Sequence, residues 1–72
     1  MEINTSEKIR FLANRENKNM GDIAAATGQT RQNFSNKLKR GDFKESELSA
    51  IAGSLGYSLE IKFVKKETGE EF

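Results

Sequence analysis

NMGDIAAATGQTRQNFSNKLKRG, residues 19 to 41, reads as a helix, a tight turn and a second helix. Asn19 has a short side-chain oxygen suited to the free N–H groups of a first helical turn. Asp22, three residues on, completes an approximate capping box. Ile23, Ala24 and Thr27 then recur at helical spacing until Gly28 ends the run. A glycine just past a helix takes the left-handed conformation at little cost, and Thr30 is a good cap for the helix that follows. That second helix has Phe34 and Leu38 on one face. Its other positions include Arg31, Gln32, Ser35, Asn36, Lys39 and Arg40, long or polar side chains with no acid among them.

This pattern resembles the helix-turn-helix of the phage Cro and repressor family, the lambda-repressor-like or XRE-like DNA-binding domains, over roughly residues 5 to 56. Ile23 and Ala24 fall where that family has an apolar residue followed by a small one, Gly28 falls at the turn, and Phe34 is the apolar anchor of the second helix. A bulky side chain in place of Ala24 would push the two helices apart. The sequence departs from the family at Thr27 and Gln29, which are polar around the turn. It departs again at Lys37, which precedes Leu38 where an anchor usually falls one residue earlier, and at Met20, where a phosphate-binding glutamine is common. The resemblance implies a mainly α fold, a four- to five-helix lambda-repressor-like domain with a C-terminal β-strand or hairpin. Residues 1–56 would form the DNA-binding part and 57–72 a dimerisation element, within one structural domain.

The function implied is that of a small prokaryotic or phage transcriptional regulator, binding double-stranded DNA in a sequence-specific manner and acting by operator occupancy. In this family the second helix lies in the major groove. Carried over by position, the base contacts are Thr30, Arg31, Gln32, Ser35 and Asn36. Their chemistry suits base reading, since arginine forks onto guanine and glutamine or asparagine pairs with an adenine edge, each good pair discriminating by roughly 1–3 kcal/mol. Asn19, Lys37, Lys39, Arg40 and Lys44 are the expected phosphate contacts, because flexible polar and cationic groups hold register without reading sequence. A homodimer would bind a near-palindromic operator.

Composition sets the outer bounds. A chain of 72 residues with 35% hydrophobic content makes one small domain, since a second core would bury too little apolar surface. Cysteine, tryptophan and histidine are absent, so no disulfide or thiolate metal site can staple the fold. With no apolar run long enough to cross a bilayer and no signal-peptide pattern after Met1, the expected location is the cytoplasm.

The net charge of +1 hides an uneven distribution. Residues 1–18 come to +1. In residues 19–44, Arg31, Lys37, Lys39, Arg40 and Lys44 against Asp22 and Asp42 leave +3. From residue 45 onward Lys62, Lys65 and Lys66 face six glutamates, leaving −3. The basic excess therefore sits on the second helix and the loop after it. A solvated basic face is the plainer explanation of such a cluster; its coincidence with the helix-turn-helix pattern favours a phosphate backbone.

Elsewhere the chain is read from its periodicity. Asn4 or Thr5 caps a first helix running to about Asn14 or Glu16, with Ile9, Leu12 and Ala13 on one stripe and Phe11 off it. Phe43 follows Gly41 and Asp42 and is expected to plug into the core. Leu48, Ile51, Ala52 and Leu55 mark another helix from about Lys44 or Glu45 to Leu55, and Gly53 lies inside it. The expected core joins Ile9, Leu12, Ile23, Ala24, Phe34, Leu38, Phe43, Leu48, Ile51, Ala52 and Leu55. From Tyr57 the period changes to two: Tyr57, Leu59, Ile61 and Phe63 alternate with polar residues, predicting a strand that serves as the dimerisation face. Thr68-Gly69 is a hairpin turn that would return Glu70 to Phe72 onto Lys65 and its neighbours. A disordered tail is the competing reading.

Catalysis finds no support here. Without histidine or cysteine the common general base, thiol nucleophile and transition-metal ligands are missing, and the acids have no metal-loop spacing. No cofactor, metal, membrane or small-molecule substrate is expected. The alternative function is a protein-interaction module, an antitoxin or adaptor, that uses the same helical hairpin or the exposed strand edge. RNA binding fits less well, because the exposed aromatic platform of single-strand binders is missing.

Overall fold

Asn4, Asn19 and Thr30 each hold the first turn of a helix by one side-chain oxygen. They accept the backbone N–H groups of Glu7, Asp22 and Asn33 at 2.8, 2.8 and 3.1 Å. The computed structural model describes residues 4–72, and among them four helices follow in order: α1 Thr5–Arg15, α2 Met20–Ala26, α3 Arg31–Arg40 and α4 Glu45–Ser54. At Asn19 the box is complete, since Asp22 Oδ2 accepts the Asn19 N–H at 2.9 Å. Two otherwise orphaned donors are satisfied reciprocally, which stabilises a helix of only seven residues.

The helix ends are as specific as the starts. Past α2, Gly28 takes φ +69°; its N–H donates to Ala25 O at 3.3 Å and the Gln29 N–H to Ala24 O at 3.0 Å. This is the paired bond of a Schellman cap, and it turns the chain through four residues into α3. Helices α1 and α4 end the same way at Asn17 and Gly56, with Lys18 N–H reaching Ala13 O and Tyr57 N–H reaching Ala52 O, both at 2.8 Å.

Helix α2 packs against α3 and α4. The buried apolar set is Ile9, Ala13, Ile23, Ala24, Phe34, Leu38, Ile51 and Leu55, with Leu12, Met20, Phe43, Leu48 and Tyr57 half-buried around it. Phe43 does turn back on the core, its ring centroid 6.5 Å from that of Phe34. Ser6 is a buried residue that hydrophobic patterning passes over. Its hydroxyl donates to Leu38 O at 2.7 Å, satisfying a carbonyl in the last turn of α3 and tying α1 to that turn. Phe11, off the stripe of α1, is 60% exposed. No helix among the described residues is long and apolar enough to cross a membrane.

The strand expected from Tyr57 to Phe63 is not formed. Among the described residues no neighbouring backbone completes a ladder with residues 58–62, and a strand without one is not a stable element. The alternating apolar residues divide instead. Tyr57 and Leu59 are half-buried and line an apolar groove with Ile9 and Leu12 of α1, Leu48 and Ile51 of α4, and Leu55 at the C-cap of α4. Ile61 and Phe63 run on into solvent, 52% and 79% exposed. The return of the last residues is seen: Phe63 and Phe72 exchange N–H···O bonds at 2.8 and 3.0 Å, and Lys65 N–H meets Glu70 O at 2.8 Å. A single antiparallel bridge joins Val64 and Glu71, closed by a turn with Gly69 at φ +75°.

Two glycines should respond in opposite directions to alanine. Gly28→Ala puts a side chain into the left-handed region and should cost about 1–2 kcal/mol. Gly53, helical and with nothing within 4 Å of a built Cβ, should gain about 0.5–1 kcal/mol from the same change. Urea denaturation of both variants measures the signs.

Candidate functional site

Helix α3 owes its orientation to Phe34, which has no exposed surface, and Leu38, which is 4% exposed. At 100° per residue, burying that side turns Gln32, Asn36, Lys39 and Arg40 directly outward. Asn33 stands level with Lys39, Ser35 and Lys37 border the buried side, and Arg31 falls on the same face as Phe34 and Leu38, one turn before them at the start of the helix. All of these polar residues are exposed except Ser35 and Lys37, which are half-buried.

The five expected base contacts therefore do not stand alike. Thr30 gives its hydroxyl oxygen to the Asn33 N–H, so its capping role leaves mainly the methyl and backbone free. The stem of Arg31 lies over Gly21, where a built Cβ would stand 3.9 Å from Arg31 Cδ and 3.1 Å from Asn19 Oδ1. Gln32 and Asn36, one turn apart, are joined directly: Gln32 Nε2 donates to Asn36 Oδ1 at 3.2 Å. Ser35 sits lower, on the Arg31 side.

The expected phosphate contacts divide as well. Lys39, Arg40 and Lys44 are exposed and have no ion-pair partner among the described residues. Lys37 is different: its ammonium is paired with Glu47 of α4, both side chains about one-fifth exposed. Glu47 Oε1 also accepts the Lys44 N–H at 3.4 Å, so this carboxylate links α3 to the start of α4. Lys37 thus acts first as a cross-brace. Asn19 has its side-chain oxygen committed to the cap, and the Asp22 carboxylate lies beside it on the Asn19 N–H. An anion approaching α2 there would meet that negative charge, and of the groups of Asn19 only the side-chain N–H2 is left as a donor.

On the other side of the turn, Thr27, Gly28, Gln29, Asn33, Lys37, Ser46, Glu47 and Ala50 line a cleft of about 360 Å³. Gln29 Nε2 donates to Thr27 Oγ1 at 2.8 Å, and Thr27 Oγ1 in turn donates to Ile23 O at 2.8 Å. The Thr27 hydroxyl and the Gln29 amide nitrogen are thereby satisfied locally, whereas Gln29 Oε1 is buried and lacks a partner. Among the described residues there is no group of three or more carboxylates that could hold a metal ion.

At the far end of the molecule, Tyr57 OH donates to Glu16 Oε2 at 2.8 Å and pins the start of the tail to the end of α1. Beyond it, Ile61, Phe63, Val64 and Phe72 are large apolar side chains left in solvent. Phe72 escapes a period-two reading because it belongs to the return of the chain, and Val64 because it directly follows Phe63 on the opposite register. Comparison of the chain with protein-family models, with curated proteins and with solved structures finds no match.

Two side chains carry a pH dependence of opposite sign. The hydrogen bond from Lys37 holds the Glu47 carboxyl below its ordinary 4.5, against a smaller opposing effect of burial. Its stabilisation is therefore complete above pH 4.5 and is lost as pH falls through the lowered value. The bond to Glu16, with burial, raises the Tyr57 phenol above 10.0, so that contribution is present below pH 10 and lost as pH rises through the raised value. Glu47→Gln should be less stable than the parent at neutral pH, with the difference shrinking in acid. Tyr57→Phe should remove part of the alkaline loss. Thermal melts from about pH 3 to about pH 11 check both.

Proposed function

We propose that this chain binds double-stranded DNA through α3 as a small regulator of the Cro/repressor-like, helix-turn-helix kind, dimeric and acting by occupying an operator. The observation that carries this reading is an acid-free α3 locked to the core by Phe34 and Leu38, with Gln32 and Asn36 on its solvent side, Arg31 exposed at its first turn and Ser35 half-buried beside them. A helix of that width enters a major groove, where fork-shaped and amide side chains distinguish base pairs. Lys39 and Arg40 at its end, with Lys44 beyond the loop, are exposed cations suited to the phosphates on either side. The Lys37–Glu47 brace holds α4 against α3, and the four-residue turn after α2 fixes the angle between the two helices of the pair.

The dimer face in this reading differs from the one expected at Tyr57 and Leu59, because both are half-buried against their own α1 and α4. Ile61, Phe63, Val64 and Phe72 remain for a second copy, and a two-stranded hairpin is marginal in water until its apolar side is covered. The same exposed cluster favours the alternative in which the tail docks another protein, as in an antitoxin or adaptor. Two recognition helices related by a two-fold axis would engage half-sites about 34 Å apart.

Selection from a random pool of duplex DNA at near-physiological salt tests the reading. A two-fold symmetric motif is the expected result, and Arg31→Ala should weaken binding to it by at least tenfold, about 1.4 kcal/mol, while leaving the helix content unchanged. Retention of DNA without any motif contradicts sequence-specific binding. For the tail, Phe63→Ser combined with Phe72→Ser should convert a dimer to a monomer in sedimentation equilibrium. A double variant that remains dimeric would place the interface elsewhere.

A further inference from the structure

The hydrogen bond between Gln32 and Asn36 changes what each can do at a base edge. A primary amide has one carbonyl oxygen and two N–H donors, one on the same side as the oxygen and one facing away. The first N–H and the oxygen together form the edge that pairs with adenine, meeting its N7 acceptor and its N6 donor. A free glutamine has to stop three side-chain torsions and select one of two amide orientations before it can present that edge. Here Gln32 Nε2 already donates one hydrogen to Asn36 Oδ1 at 3.2 Å, one helical turn away, and both residues lie on the outward stripe of α3. The contact distinguishes the nitrogen end of the Gln32 amide from the oxygen end, because Asn36 Oδ1 accepts only from nitrogen. Asn36 is left with its own N–H2, a donor that cannot supply the paired edge alone once its oxygen is occupied.

We infer that Gln32 and Asn36 work as one reading unit for a single adenine in the major groove, Gln32 making the paired contact and Asn36 acting as a positioning residue that orients its amide. The inference rests on the DNA-binding reading above and goes further by assigning the base and by making the two residues dependent on each other. Two independent amide readers would govern two base pairs. A coupled unit governs one.

The test uses the full-length chain and the duplex recovered from the random pool by the parent protein, with each base pair substituted in turn. Preference for adenine over the other bases is read as an affinity ratio within each variant, which cancels any general change in binding. The parent should prefer adenine at one position by roughly 10- to 100-fold, and should bind more weakly when that adenine is replaced by 7-deazaadenine, which lacks the N7 acceptor. Gln32→Ala should abolish the preference there, and Asn36→Ala should reduce it at that same position by roughly tenfold. The double variant should be no worse than Gln32→Ala alone. Asn36→Asp keeps the accepting oxygen and should restore most of the ratio, which a merely structural role for Asn36 would not predict. An effect of Asn36→Ala at a different base pair, or additive losses in the double variant, overturns the coupling while leaving the DNA-binding reading standing. A parent protein with no preference at any position overturns both. Both side chains are exposed, so the variants should fold as the parent does, and circular dichroism confirms it.

Discussion

Complete burial of the Phe34 ring is the constraint on which the rest of the arrangement depends. It fixes the rotation of α3 about its own axis, and with a period of 3.6 residues that rotation decides which side chains reach solvent. Ile23 and Ala24, each 1% exposed, bring α2 close to the same core. A larger side chain at Ala24 would overpack the site, a change that typically costs about 1–3 kcal/mol. The Schellman cap at Gly28 sets the angle at which α3 leaves the turn, and Ser6 holds its far end through the Leu38 carbonyl. Rotation, angle and end position are thus determined by apolar burial and backbone hydrogen bonds, leaving the outward residues free of structural duties.

That division explains the uneven standing of the polar residues on α3. Gln32, Lys39 and Arg40 touch nothing that the fold needs, whereas Lys37, one turn before the end of the helix, is paired with Glu47. A partly exposed pair of this kind contributes modestly to stability. Its larger effect is on charge: the +3 of residues 19–44 is partly neutralised by a carboxylate from beyond that segment, so the basic surface consists of Arg31, Lys39, Arg40 and Lys44.

Much of this was legible in the residues. The caps at Asn4, Asn19 and Thr30 and the stop at Gly28 are local chemistry, and all four helices lie where periodicity and caps put them. Of the residues expected in the core, Ile9, Ile23, Ala24, Phe34, Leu38, Ile51 and Leu55 are buried, and Leu12, Phe43 and Leu48 pack half-buried around them. Ala52 is half-buried as well. The burial of Ser6 was not legible, because it depends on a carbonyl 32 residues away. The tail misled for a related reason. Alternation at Tyr57, Leu59, Ile61 and Phe63 is genuine, but period two says only that one side is apolar, not what covers it. The groove between α1 and α4 takes the first two, and among the described residues no backbone pairs with residues 58–62. Likewise the joining of Gln32 to Asn36 depends on rotamers, which spacing alone leaves open.

If the solvent side of α3 is the surface that meets DNA, its backbone amides must sense the duplex first. Amide chemical shifts of the 15N-labelled chain, followed while duplex DNA is added at low salt, read this residue by residue. The largest changes should fall on Thr30 to Asn36, with smaller ones at Lys39, Arg40 and Lys44, and added salt should reverse them. Changes confined to Ile61 through Phe72, or none at saturating DNA, would contradict DNA binding by α3 and leave the exposed tail as the functional surface of the molecule.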